Sequence, residues 1–315
     1  MNILDFSRQA NYMLLGATNA VKKDLRPGHT FQEPDYLTAI VTKFPLLMNS
    51  TWNHVNFGGC FIHKSPQVTF KKGGRCEAGD LLVLCRKAVG TDYRYNAALF
   101  QLKRLEENEE YQVTKPKELI QYDLYTEWPE FSIGGTFNPA KVHNINPKTV
   151  TPGAQYMFIN DPDNYVRYYW YEESYLHHPC IFTHAIPEPV MQSRADLSFG
   201  RFLWDFIHWQ NGRPISSEKR AVNDEWSRFI WDLIRKTRNV MIQNINVRVQ
   251  RKNGIAKQQG DFFHLLTTKD SMSFLLQSYI DWTNRDNDGG NESADETINE
   301  EVNGAISILF IDVGE

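Results

Sequence analysis

The chain has 315 residues, enough for one large domain or two ordinary ones. Hydrophobic residues make up 41% and charged residues 23%, with 8 Trp and 14 Tyr, which excludes wholesale disorder and fits a protein with a sizeable core. The net charge of −4 is uneven: residues 286–303 hold seven acids and no Lys or Arg, while 213–257 hold eleven Lys and Arg against four acids, a balance that suits an anionic partner or, equally, a solvated helical face.

In chain order, Leu4 to Lys23 reads as a first helix with a basic end, broken by Arg26-Pro27-Gly28. A second begins near Glu33-Pro34-Asp35, where proline suits the first turn. Leu37, Ile40, Val41, Phe44 and Met48 then give it one apolar face, and Pro45 is expected to kink or end it early. From Phe57 onward the texture is that of short strands broken by Gly58-Gly59, Pro66 and Gly73-Gly74. Leu81 to Cys85 is a continuous apolar run, as in a strand buried on both faces, and Ala97 to Phe100 is a second. Gly90 to Tyr95 between them reads as a loop, so the two make a hairpin. Residues 116–128 read as a short helix ending at Trp128-Pro129. Gln155 to Asn160 and Tyr165 to Tyr171 read as strands. Helical spacing returns at Phe199 to Ile207 and at Trp226 to Ile234, the latter capped by Asp224. Residues 284–303 are polar, and Ala305 to Val313 reads as a closing strand.

No apolar stretch approaches the ~20 residues that cross a bilayer. Asp5 and Arg8 precede any apolar run, unlike a signal peptide, so a cytoplasmic protein without membrane contact is expected. Cys60, Cys76, Cys85 and Cys180 are scattered without a CxxC pair, which argues against a disulfide framework or an all-cysteine zinc site. His177 and His178 are adjacent, so on a strand they would face opposite ways and not share a metal. Walker, GxGxxG, HExxH and GxSxG motifs are absent.

The informative segment is Cys76-Glu77-Ala78-Gly79-Asp80 before the first buried strand, with Gln101-Leu102-Lys103-Arg104 ending the second. Side chains alternate along a strand, so Gln101 and Lys103 share a face, and pairing of the strands would bring Asp80 to them. A hard cation such as Mg²⁺ takes one or two carboxylates plus neutral oxygens. Asp80 can supply a carboxylate, Gln101 an amide oxygen, and Lys103 a charge that orients water or stabilises a phosphate.

This pattern resembles the PD-(D/E)xK nuclease superfamily, in the Gln-x-Lys variant of Mrr-like restriction endonucleases. The resemblance covers about residues 30–105. It implies a mixed α/β (α+β) fold with a central mixed sheet flanked by helices, and Mg²⁺- or Mn²⁺-dependent cleavage of nucleic acid, DNA before RNA. It also implies a role in prokaryotic defence, beside a protein partner supplying recognition or ATPase activity. The family's helix-borne Glu matches Glu33, with Asp35 beside it, and Glu77 is a further candidate metal ligand. Gly79-Asp80 stands where the superfamily's Pro-Asp would be, and Gln101 removes one charge from the site. On this reading 1–130 is the nuclease-like core, 131–283 an aromatic-rich strand and helix region, 284–303 an acidic segment and 304–315 a closing strand. Candidate nucleic-acid contacts are His63, Arg104, Arg228, Arg235 and Arg238, and Tyr165, Tyr168, Tyr169, Trp170 and Tyr171 could stack bases. The alternative is a non-catalytic binding or scaffold subunit that keeps the fold, for which Gln101 in place of an acid is the best support.

Overall fold

A computed structural model describes residues 2–25, 31–52, 55–62, 65–104, 110–113, 115–159, 181–184, 190–192, 198–237, 263–266 and 304–314. The strands at 110–112, 181–184, 190–192 and 263–266 are described by their backbone. His63, Arg238, Cys180, the paired histidines, the Tyr165–Tyr171 set and the acidic segment lie outside the described residues.

The chain opens with α1 (Ile3–Asp24), whose first turn is capped by the Asn2 side chain accepting the Asp5 N–H at 2.9 Å. α2 (Glu33–Thr38) follows and passes through a π-helical turn, Ala39–Lys43, into α3 (Phe44–Thr51). Pro45 therefore does not break the rod. The widened turn comes just before it and hands the chain on at the start of α3, where a proline's missing N–H is tolerated. Then come β1 (Val55–Ile62), β2 (Gln67–Phe70), β3 (Arg75–Glu77), β4 (Leu81–Val89), β5 (Asp92–Arg104) and β6 (Glu110–Gln112). α4 (Pro116–Glu127), β7 (Phe131–Ile133), β8 (Val142–His143), β9 (Ala154–Ile159), β10 (Ile181–His184) and β11 (Val190–Gln192) follow. The C-terminal part holds α5 (Phe199–Ile207), β12 (Arg213–Ile215), α6 (225–237), β13 (Phe263–Leu266) and β14 (Ser307–Val313). Asp224 caps α6 by accepting the Ser227 N–H at 3.0 Å.

The expected loop at Gly90–Tyr95 shrinks to a two-residue turn. β4 and β5 pair from Leu81↔Phe100 to Val89↔Asp92, and Gly90 takes the left-handed φ of +60° that a tight hairpin turn asks for. Gly58-Gly59, expected to break strands, lies inside β1. A Cβ on Gly59 would stand 1.9 Å from the Val41 carbonyl oxygen, so a side chain is excluded where β1 crosses the π turn.

The main sheet of the described residues runs β10-β9-β5-β4-β14-β1-β13, with β12 beside the start of β5. β14 is parallel to β4, β9 is parallel to β5, and the other pairs are antiparallel. The C-terminal strand is thus central, between β4 and β1, and the sheet draws on both sides of residue 130. A smaller, separate sheet runs β3-β2-β7-β8.

Alternation along β4 and β5 divides the core in two. Leu81, Val83, Ala98, Phe100 and Leu102 pack with Phe6, Leu14, Phe44, Phe202 and Phe206 of α1, α3 and α5. Leu82, Leu84, Ala97 and Leu99 pack with Leu124, Tyr125, Phe131, Trp226 and Phe229 of α4, β7 and α6. A mixed sheet flanked by helices on both faces is the result, as the sequence led us to expect. No helix among the described residues is long and apolar enough to cross a membrane.

Two glycines test this packing. Gly59→Ala is expected to lose about 1–3 kcal/mol in urea unfolding, because a backbone carbonyl blocks the new methyl group. Gly16→Ala, mid-helix with its nearest contact at 3.4 Å, is expected to gain about 0.5–1 kcal/mol.

A candidate metal-binding carboxylate site at the end of the β4–β5 pair

Asp80 is the residue before β4. Its N–H donates to the Phe100 carbonyl at 2.8 Å, which carries the ladder one step beyond Leu81 and sets Asp80 across from Gln101. Its carboxylate then takes the place of a ladder acceptor: Oδ2 accepts the Leu102 N–H at 2.8 Å. Oδ1 accepts the Ser65 hydroxyl at 2.9 Å, and the Gln101 side-chain amide donates to Oδ2. The approach to Asp80 requires Gly79, where a Cβ would meet Leu99 and the Tyr125 hydroxyl, each at 2.8 Å.

Asp80, Gln101 and Lys103 all belong to the strand face that α4 covers. Gln101 is buried and Lys103, two residues on, is half-buried. Glu77 ends β3 on the same side. Glu33 comes from the opposite face: it opens α2, and its Oε1 accepts the Arg104 N–H at 3.1 Å, just past Lys103. Asp35 turns back instead, accepting the Gln32 N–H at 2.8 Å to close the capping box of its own helix. Of the two, Glu33 is the one that reaches β5.

The electrostatics follow from this crowding. Burial pushes the Asp80 carboxyl up to about 7, the negative charge of Glu77 adds to that, and the Leu102 N–H, Lys103 and Ser65 oppose it. Glu77 is raised by burial as well, with Lys103 lowering it and Glu33 raising it further. Both shifts come first from burial, and the Lys103 ammonium offsets them only in part. A cation is the natural relief, and a hard divalent ion needs only one or two carboxylates with water completing its shell. Asp80 Oδ1 accepts one hydrogen bond, from Ser65, which leaves the Asp80 and Glu77 carboxyls as the candidate ligands for such an ion. No group of three or more His, Cys, Asp or Glu among the described residues is placed to share one ion.

Gln101 departs from expectation. Its amide presents NH₂, not oxygen, to Asp80, and its Oε1 accepts from Nε2 of Gln121 on α4. Gln121 was not legible as a site residue in the sequence. Helical spacing puts it one turn before Tyr125, and only the docking of α4 turns it toward β5. Arg104 lies half-buried beside the site. Arg228 and Arg235 are engaged on α6: Arg228 with Glu225 at 2.6 Å and the Val142 carbonyl, Arg235 with Asp232 at 2.5 Å and Glu218 at 3.6 Å.

Comparison with protein-family models, curated proteins and solved structures returns no match. The chemistry of the site has to be read from its own residues.

The raised Asp80 carboxyl has a consequence for stability. Between about pH 4 and 7 the folded chain keeps a proton that the unfolded chain has released, so Asp80 makes stability fall as pH rises through that window and level off above it. Asp80→Asn is expected to flatten this fall, matching wild type near pH 4 and exceeding it at pH 8, as read by urea unfolding across the range.

Proposed function

We propose that this chain is a divalent-cation-dependent nuclease that hydrolyses phosphodiester bonds, DNA first among its substrates. The observation that carries the reading is the meeting of Asp80, Glu77 and Lys103 at the end of paired strands, with both carboxyls raised above their ordinary range. Further support comes from the order of elements. The antiparallel β4–β5 pair carries Asp80 and Gln-x-Lys, and α4 and then β9, parallel to β5, follow it. With the helix-borne Glu33 this is the arrangement expected of a PD-(D/E)xK-like core.

Mg²⁺ or Mn²⁺ at this site would supply Lewis-acid chemistry, drawing charge from a phosphoryl oxygen and making water a better nucleophile. Asp80 and Glu77 would hold the cation. Ser65 and the Leu102 N–H fix the Asp80 carboxylate so that no reorientation is needed when a ligand arrives. Lys103 places its ammonium where charge gathers on the phosphate, and Glu33 anchors the end of β5 that carries it. Water adds to phosphorus and gives up a proton to solvent, the ester P–O bond breaks, and the departing oxygen takes a proton from solvent. Restriction of foreign DNA in a prokaryotic cytoplasm suits such an activity, with recognition or ATP-driven motion coming from a partner chain.

One observation favours the second reading, a non-catalytic nucleic-acid-binding or scaffold subunit. Asp80 is already occupied by three donors, and Gln101 turns its NH₂ toward it. One experiment separates the two. Plasmid DNA and labelled RNA are incubated with Mg²⁺ or Mn²⁺ and wild type, Asp80→Ala or Lys103→Ala, each variant checked for folding. Cleavage abolished by EDTA and reduced at least about 100-fold in both variants is the expected outcome. Nucleic-acid binding without cleavage by wild type would favour the scaffold.

A further inference from the structure

We propose that the β2–β3 hairpin is a cationic arm that holds the phosphate backbone of nucleic acid beside the Asp80 site. This deepens the nuclease reading and rests on its choice of nucleic acid as ligand, but it needs no cation at Asp80. The arm has its feet in the site. β2 and β3 pair from Gln67↔Glu77 to Thr69↔Arg75. The Ala78 N–H donates to the Pro66 carbonyl at 2.7 Å, and the Ser65 hydroxyl donates to Asp80 at 2.9 Å. Val68, Phe70 and Cys76 bury one face in the half of the core that holds Leu124 and Tyr125 of α4. Residues 71–75 form the tip and are exposed. Gly73 and Gly74 turn it at φ of +90° and +100°, and the space over Gly73 is open. The Lys71 N–H fixes the tip to the Glu130 carbonyl at 2.9 Å.

The charge of the arm has one sign. Residues 65–76 hold Lys71, Lys72 and Arg75 and no acid. Glu130, between α4 and β7, is the counter-charge at the tip. Lys71 pairs with it at 2.6 Å and pulls its carboxyl below the ordinary range, with the charges of Lys148 and Lys72 adding to that. Three ammoniums thus stand around one carboxylate. Among the described residues no ion pair holds Lys72 or Arg75, whereas Arg228 and Arg235, which the sequence favoured, are tied to acids of α6. Asp123 of α4 acts on the Cys76 side of β3, the face opposite Arg75. Arg75 shares its face with Glu77, about 7 Å away, so the cations begin next to the site. At ~3.3 Å per residue the four steps from Gln67 to Lys71 span about 13 Å. That length matches about four nucleotides of one strand at ~3.4 Å each. A stiff arm of this kind presents charge already in place to phosphates and positions them without reading a base.

Binding of a short fluorescein-labelled DNA duplex to the full-length chain is read by anisotropy in EDTA, between about 50 and 200 mM NaCl. Lys72→Gln with Arg75→Gln is expected to weaken binding at least about tenfold and to lower the slope of log affinity against log salt by about two. Lys219→Gln with Arg220→Gln removes the same charge from the turn Glu218–Asn223 and is expected to change affinity less than about twofold. Glu130→Gln, which releases Lys71, is expected to tighten binding about threefold, a gain that misfolding cannot produce. Equal losses in the two double variants, no loss in the first, or no DNA binding by wild type would overturn the arm. Tighter binding to phosphatidylserine vesicles than to DNA, with the same dependence on Lys72 and Arg75, would overturn it in favour of a membrane surface. The nuclease reading fails differently: wild type that binds DNA through the arm and cleaves nothing with Mg²⁺ or Mn²⁺ leaves the arm standing and favours the non-catalytic subunit.

Discussion

The antiparallel pairing of β4 with β5 is the constraint on which the site depends. Because Leu81 lies across from Phe100, the next step sets Asp80 across from Gln101, and the Asp80 carboxylate then accepts the Leu102 N–H that a strand partner would otherwise take. A slip of one residue would turn Gln101 and Lys103 onto the opposite face and leave Asp80 without them. The register is held by the strands on either side. β14 pairs with β4 over Ser307–Val313, and β9 with β5 over Leu99–Arg104. Both strand faces are buried, so slippage would also expose or misplace every apolar side chain along them.

That same burial sets the electrostatics. The end of β5 lies between the helices of one face and α4 of the other, and Asp80 and Glu77 lose water there. That burial is the main cause of their raised carboxyls, and Lys103 offsets it only in part. Structure and chemistry conflict at this point. A strand-pair end with two buried carboxyls and two serial amides is less stable than an apolar one, and such local costs collect where a protein binds or reacts.

Much of the fold could be read along the chain. Period-3.6 spacing marked the stretch that becomes α2 and α3, and also α5 and α6, and the apolar runs marked β4 and β5, because in each case the local pattern and the final environment agree. Pro45 and Gly58-Gly59 misled for one reason. Each is a residue type that interrupts regular structure, and each is accommodated here: the proline by a widened turn just before it, and Gly59 by the close crossing of β1 over Val41. The hairpin turn was overestimated because Tyr93, Arg94 and Tyr95 are polar or amphipathic at the exposed end of a strand whose other end is buried.

The sequence by itself determined the acid before one strand, the Gln-x-Lys ending the next, and the face those two residues share, since these depend only on strand alternation. Tertiary structure decided that Glu33 and not Asp35 reaches β5, that Arg228 and Arg235 are held in ion pairs on α6, and that the C-terminal strand is central. It also brought Gln121 to Gln101. Those outcomes follow from how helices dock and which strands pair across long separations. Burial and packing of distant segments govern such choices, and local periodicity carries no record of them.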